Sequence, residues 1–212
     1  MKILELYCGL GGWSKPWHDA GHDVTGVDIT DFSRHFSGRF IKADILDWEP
    51  DQEYDIVMAS PPCSEFSIIK KWRIGKQNES HGLDLVYRAF HLIEKIKPKY
   101  FVIENVRGLA EFLPPPEKIV KYNKHKDGKH AYLWGKFPDF NIQPDEINYR
   151  AFDTKKPRPI EQVRKSRGGG RLIGSKKPQL IATCKTSAER AKIPEPLAKK
   201  MMIAITSTRK CN

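Results

Sequence analysis

The sequence predicts an α/β fold, a mostly parallel β-sheet flanked by helices. Two observations carry this. Over residues 1 to 110, short apolar runs alternate with helix-like segments, the pattern of a sheet whose parallel strands are joined by helical crossovers. Each apolar run also ends in a glycine turn or a polar residue, and open sheets of this kind keep their ligands at the carboxyl ends of the strands.

The first run, Ile3-Leu4-Glu5-Leu6-Tyr7, leads into Cys8-Gly9-Leu10-Gly11-Gly12, a glycine turn that opens a helix from about Ser14. Glycines there let a ligand approach the backbone closely. Tyr7 and Trp13 flank the turn and serve either as packing against a ligand or as core, whereas Cys8 inside it suits a small packing residue. About twenty residues on, Val24-Thr25-Gly26-Val27 ends in Asp28, the spacing at which a second strand offers a carboxylate to a ribose hydroxyl. A cofactor containing a nucleoside is expected. The third run, Phe40-Ile41-Lys42-Ala43, ends in Asp44-Ile45.

The fourth run, Tyr54-Asp55-Ile56-Val57-Met58-Ala59, delivers Ser60-Pro61-Pro62-Cys63. Two prolines fix φ and remove two backbone donors, which holds the loop in one shape and aims the thiol. Leu83, Val86, Phe90, Ile93 and Ile96 repeat at three or four residues and mark a helix from Gly82 to Lys97. The fifth run, Tyr100-Phe101-Val102-Ile103, delivers Glu104-Asn105-Val106. Leu113-Pro114-Pro115-Pro116 ends the alternation. Beyond it a strand is expected at Ala131-Tyr132-Leu133-Trp134, a loop from Pro138 to Glu146, a short strand at Gln179–Thr183 and a helix from Pro196 to Ile205.

The 212 residues fit one domain of ordinary size that needs no disulfide to bury its core. The cysteines at 8, 63, 184 and 211 have no metal-ligand spacing, so no metal is expected. No run approaches the roughly 20 apolar residues that span a bilayer, and no charged-then-apolar leader is read at the amino terminus. A cytoplasmic or nucleoid-associated protein with reduced thiols, without membrane attachment and monomeric, is expected. The net charge of +11 suits a partner with a phosphate backbone. Between Lys155 and Lys177 there are nine basic residues against one acid, Glu161, interrupted by Gly168-Gly169-Gly170. That stretch is either an arm whose side chains meet phosphates or a solvated loop.

Taken together and in order, Tyr-Cys-Gly-Leu-Gly-Gly, Ser-Pro-Pro-Cys-Ser and Glu-Asn-Val resemble the DNA cytosine-5 methyltransferase family. The resemblance covers residues 1 to 108 and returns from Arg190 to Ala198. It implies a Rossmann-like S-adenosylmethionine-dependent methyltransferase fold and methyl transfer from S-adenosylmethionine to carbon 5 of cytosine in double-stranded DNA. Residues 1–112 would form the cofactor-binding and catalytic core. Residues 113–185 would form a reduced target-recognition region with late sheet strands and the basic arm, and residues 186–212 a C-terminal helix returning to the core.

Under this resemblance Cys63 supplies the thiolate that adds to carbon 6, Glu104 the proton for ring nitrogen 3, and Asn105 a supporting bond to the Pro61-Pro62 segment or to its own backbone. Asp28 binds the ribose and Asp44 the adenine amino group. The cofactor set is Tyr7, Gly9, Leu10, Gly11, Gly12, Asp28, Ile29, Asp44, Ile45 and Pro61. Nucleic-acid contacts are expected from Ser64, Arg107, Lys129, Arg164, Lys165, Arg167 and Arg171. The target base would be extruded from the duplex at a cost of a few kcal/mol.

The chain departs from the family in two places. It has no Gln-x-Arg-x-Arg segment, for which Lys121, Lys124, Lys129 or His130 would have to substitute, although a lysine lacks the guanidinium fork. Arg190-Ala191-Lys192 stands before Ile193-Pro194 where the family has Gly-Asn. Three alternatives stay open: a tRNA cytosine-5 methyltransferase, an inactive relative that binds nucleic acid, and an amino methyltransferase, against which Ser60 and Cys63 argue.

Overall fold

In the computed structural model, seven strands form one sheet in the order β3-β2-β1-β4-β5-β7-β6. The structure describes residues 1–66, 79–122, 130–147 and 192–208, all within one compact unit. The strands are β1 (Lys2–Leu6), β2 (Asp23–Asp28), β3 (Arg39–Lys42), β4 (Ile56–Ala59), β5 (Tyr100–Asn105), β6 (Lys118–Lys121) and β7 (His130–Lys136). The helices are α1 (Lys15–Asp19), α2 (Glu79–Ile96) and α3 (Glu195–Ser207). Strands β1 to β5 are parallel, and β7 runs antiparallel to both β5 and β6. The α/β expectation holds, with a Rossmann-like sheet.

The central strands read as apolar runs because both of their faces are covered. On one face Ile3, Val24, Ile56, Met58 and Val102 pack with Trp13, Trp17, Ile193, Leu197 and Met201 of the α1 and α3 regions. On the other, Leu4, Leu6, Val57, Ala59 and Ile103 pack with Val86, Ala89, Leu92 and Ile93 of α2. Alternate residues of one strand thus serve two cores. Fully burying a side chain of this size contributes roughly 1.5–3 kcal/mol.

Helix α2 starts three residues before the sequence signal and stops at Lys97, which takes φ 53 just ahead of Pro98. Helix α1 opens after Ser14, where the sequence places a helix start, and is five residues long. Helix α3 starts at Glu195, carries Pro196 in its first turn and buries Leu197, Ala198, Met201 and Ile205. Strand β6 is an element that hydropathy does not announce. Of its four residues only Val120 is buried. Strand β7 can lie close to β5 because Gly135, at φ 147, carries no Cβ, which would stand 2.2 Å from Phe101 O. The expected strand at Gln179–Thr183 lies outside the described residues, as do Cys184 and Cys211.

Candidate active site

The chain reverses direction of travel across the sheet between β1 and β4, which are neighbours although two strands intervene in sequence. A crevice opens at such a switch point, outside the carboxyl ends of the strands. The register aligns those ends. Leu6 pairs with Val27 on one side and with Ala59 on the other, and Ala59 pairs with Ile103. The residues that follow, Tyr7-Cys8-Gly9, Asp28, Ser60-Pro61-Pro62-Cys63 and Glu104-Asn105, therefore emerge along one edge.

The glycine turn is held from beneath. Glu5, buried in β1, accepts the backbone N–H of Trp13 at 3.2 Å and of Ser14 at 2.9 Å. Burial pushes its carboxyl up to about 7, against the lowering effect of these bonds and of the Lys192 charge. Gly9 and Gly11 take φ 49 and 67, and a Cβ on Gly9 would meet nothing within 4 Å. The outer side of the turn is thus open to a ligand. Gly12 faces inward, where a Cβ would stand 2.6 Å from Ile193 N, so this glycine lets the segment before α3 close on the turn. Leu10 is half-buried. Cys8 is buried against Phe36 and Gly26, and burial, followed by the Glu5 and Asp28 charges, pushes its thiol up. It is a packing residue.

Asp28 Oδ2 accepts Gly9 N at 2.9 Å and its Oδ1 accepts Thr30 N at 2.8 Å. One carboxylate thereby joins the end of β2 to the glycine turn. Asp44 Oδ1 accepts Leu46 N at 3.0 Å. Each carboxylate has about four acceptor positions, so both retain capacity for hydroxyl or amine donors. Ile29, next to Asp28, is 62% exposed, an apolar side chain suited to the face of a base. Ile45 is buried in the core beneath Asp44. Tyr7 takes φ 56 and donates its hydroxyl to Leu85 O at 2.7 Å. Trp13 is fully buried, the core alternative for that residue.

The thiol loop is tied to its neighbours on two sides. Trp13 Nε1 donates to Ser60 Oγ at 3.1 Å. Asn105 Nδ2 donates to Pro61 O at 3.0 Å, while Asn105 Oδ1 accepts Val106 N at 2.9 Å. Asn105 thus makes both kinds of bond considered for it. Pro61 is buried, and Cys63 is half-buried at the start of a 3-10 turn, Cys63–Phe66. That turn docks on a second one, Arg107–Glu111. Gly108 permits the docking, since a Cβ there would stand 2.0 Å from Phe66 O. Glu104 is only 7% exposed. Ser64 and Arg107 are exposed on this edge, whereas Lys129, Arg164, Lys165, Arg167 and Arg171 lie outside the described residues.

Sequence reasoning passed over Glu5, the Trp13–Ser60 bond and Gly108. Only Glu5 carried a local signal, as a charge inside an apolar strand. Among the described residues, no three or more His, Cys, Asp or Glu are grouped to hold a metal, and no helix is long and apolar enough to cross a membrane. A cavity of about 200 Å³ at the far edge of the sheet, beside Lys118, Lys121 and Asn141, contains none of these residues.

The chain is 29% identical over 156 residues to a Frog virus 3 protein named "Probable DNA (cytosine-5)-methyltransferase", with 63% of this chain and 70% of that protein covered. It is 32% identical over 119 residues to the Type II methyltransferase M.NgoFVII of Neisseria gonorrhoeae, covering 51% of this chain and 31% of the relative. A solved Pyrococcus abyssi tRNA (uracil-54, C5)-methyltransferase in complex with S-adenosyl-L-homocysteine superposes with a TM-score of 0.43 at 19% identity, covering 64% of this chain and 33% of that one. The chain therefore spans most of the viral relative and about a third of the bacterial one. Residues 1–114, more than half of the chain and the part that contains the glycine turn, the thiol loop and the Glu-Asn strand end, match the C-5 cytosine-specific DNA methylase family, and to that family the chain belongs.

Proposed function

We propose that this chain transfers a methyl group from S-adenosylmethionine to carbon 5 of cytosine in DNA, with Cys63 as the nucleophile. The observation that carries the reading is the bond from Asn105 Nδ2 to Pro61 O at 3.0 Å, because it locks the strand end bearing Glu104 to the loop bearing Cys63. A nucleophile and an acid are then held on one rigid edge.

The residues of the β1, β2 and β3 ends fit the cofactor. The open glycine turn admits its backbone-proximal part, Asp28 receives ribose hydroxyls, Asp44 the adenine amine, and Ile29 covers an apolar face. When bound, S-adenosylmethionine supplies an electrophilic methyl group on sulfur. The chain must make carbon 5 nucleophilic. The Cys63 thiolate forms a bond from Sγ to carbon 6, and the electron pair of the 5,6 double bond moves through carbon 5 and carbon 4 to nitrogen 3, leaving an enamine that is nucleophilic at carbon 5. Glu104 gives its proton to nitrogen 3 as that charge builds. As carbon 5 takes the methyl group, the methyl–sulfur bond would break and leave its electron pair on sulfur; loss of the carbon 5 proton to a base then re-forms the 5,6 double bond and expels Sγ, and nitrogen 3 returns its proton to Glu104. Asn105 is a positioning residue in this scheme.

Methyl-labelled S-adenosylmethionine incubated with the protein and duplex DNA should place label in 5-methylcytosine after digestion to nucleosides. Cys63→Ala should bring that label to background while leaving the binding of S-adenosylhomocysteine intact. Label arising only from transfer RNA would move the substrate to RNA, and none from any nucleic acid would leave a binding role.

A further inference from the structure

Asp44 sits at the head of a tight turn. Its carbonyl oxygen accepts Asp47 N at 3.2 Å and Trp48 N at 2.9 Å, and its Oδ1 accepts Leu46 N. The turn is gripped from outside by one side chain of α2. Arg88 Nε donates to Ile45 O at 3.0 Å, and Nη2 donates to Trp48 O at 2.7 Å and to Glu49 Oε1 at 2.8 Å. Only 15% of the Arg88 side chain is exposed. A guanidinium carries five donors in a rigid plane and stays charged, so its bonds to three acceptors fix the turn in position as well as in shape.

The same stretch of α2 also anchors the β1 end, through Leu85 O and the Tyr7 hydroxyl. Tyr7 is one of two described non-glycine residues at positive φ, a conformation that persists only where surrounding contacts enforce it. Burial and then the Asp44 charge push the Tyr7 hydroxyl up, and the Arg88 charge opposes them. Asp44 and Arg88 are thus each within electrostatic reach of Tyr7.

We propose that Arg88 is a positioning residue for the nucleoside half of the cofactor, acting by clamping the Asp44–Glu49 turn so that the Asp44 carboxylate faces the crevice. This rests on the reading that an S-adenosyl cofactor lies along this strand edge. Nothing in the role requires contact between Arg88 and the cofactor. It separates cofactor affinity from chemistry, because, among the described residues, the hydrogen bonds that tie down the β4 and β5 ends carrying Cys63 and Glu104 come from Trp13 and Asn105 and none from Arg88.

The test is Arg88→Lys in the full chain, which keeps the charge and removes the fork. Calorimetric titration with S-adenosylhomocysteine should show about tenfold weaker binding, because the Asp44 carboxylate is no longer held in place for it. KM for S-adenosylmethionine should rise in parallel. At saturating cofactor, kcat should stay near the parent value, and the alkylation rate of Cys63 by iodoacetamide, read on its own peptide by mass spectrometry, should not change. A residue that merely stabilises the fold would lower the folded fraction, and with it the apparent kcat, while KM and affinity stayed unchanged. Unchanged affinity, or a loss confined to kcat, overturns the proposal. Should Arg88→Lys fail to fold, Glu49→Gln removes the exposed carboxylate charge that pairs with Arg88 and should weaken binding about twofold, and unchanged affinity there overturns it equally. If the parent protein itself binds no S-adenosylhomocysteine, the cofactor reading fails first and this inference with it, an outcome distinct from a parent that binds and a variant that binds as well.

Discussion

Glu5 sits in the middle of β1 with its carboxyl raised to about 7 from a usual 4.5, burial being the dominant cause. Between those values the folded protein holds a proton that the unfolded chain releases. The stability this group contributes is therefore fully present below about pH 4.5 and is lost as pH rises through about 7. Glu5→Gln removes the titration and keeps an oxygen to accept from Trp13 N or Ser14 N. The parent should lose stability relative to Glu5→Gln between pH 5 and pH 8, by a few kcal/mol at most, and urea denaturation of both proteins across that range checks it. A flat difference would mean that Glu5 ionises normally. The same residue shows why side-chain chemistry in a strand is hard to read beforehand. Its partners are backbone amides eight and nine residues away, and no pattern in the sequence marks a backbone donor.

At the scale of elements, the glycine turn and α3 are interdependent. Ile193 fills the space beside Gly12 that a Cβ would need, and the helix that follows covers Trp13 and Trp17 with Leu197 and Met201. Gly12→Ala should destabilise the fold by about 1–3 kcal/mol through this overlap, visible as a lower denaturation midpoint. Gly9→Ala meets no neighbour and should cost only the strain of its positive φ, so it should be the milder of the two. Strands β1, β2, β4 and β5 and helices α2 and α3 were legible because each carries a long or nearly continuous apolar pattern. Strand β6 was not. Lys118-Ile119-Val120-Lys121 is four residues long, sits at the sheet edge and buries one side chain, too little for any periodicity to register. The two 3-10 turns at Cys63–Phe66 and Arg107–Glu111 exist through their mutual docking and have no propensity signal of their own.

For the whole molecule, the excess of 37 Lys and Arg over 26 Asp and Glu sets the expected behaviour toward a polyanion. Binding to duplex DNA should weaken steeply with salt, with log K falling linearly in log salt in proportion to the phosphates neutralised. A filter-binding or anisotropy series between low and physiological salt measures the slope. A slope near zero would separate the basic charge from nucleic-acid contact. Several of the positive residues expected to make those contacts fall between Lys155 and Lys177, outside the described residues, while Ser64 and Arg107 stand on the edge that carries Cys63.

Read without coordinates, the chain already disclosed its fold class, the strands that end in Gly9, Asp28, Asp44, Cys63 and Glu104, and the family to which the motifs point. Those features are local: apolar runs, turn chemistry and the residue that follows each run. Folding was needed to show how the ends are held against one another. Gly9 meets Asp28 across 19 residues, Asn105 meets Pro61 across 44, Trp13 meets Ser60 across 47, and Arg88 reaches Ile45 across 43. A hydrogen bond between residues that far apart depends on strand order and register, which are properties of the packed sheet, and neither partner of such a pair carries a mark of the other in the surrounding sequence.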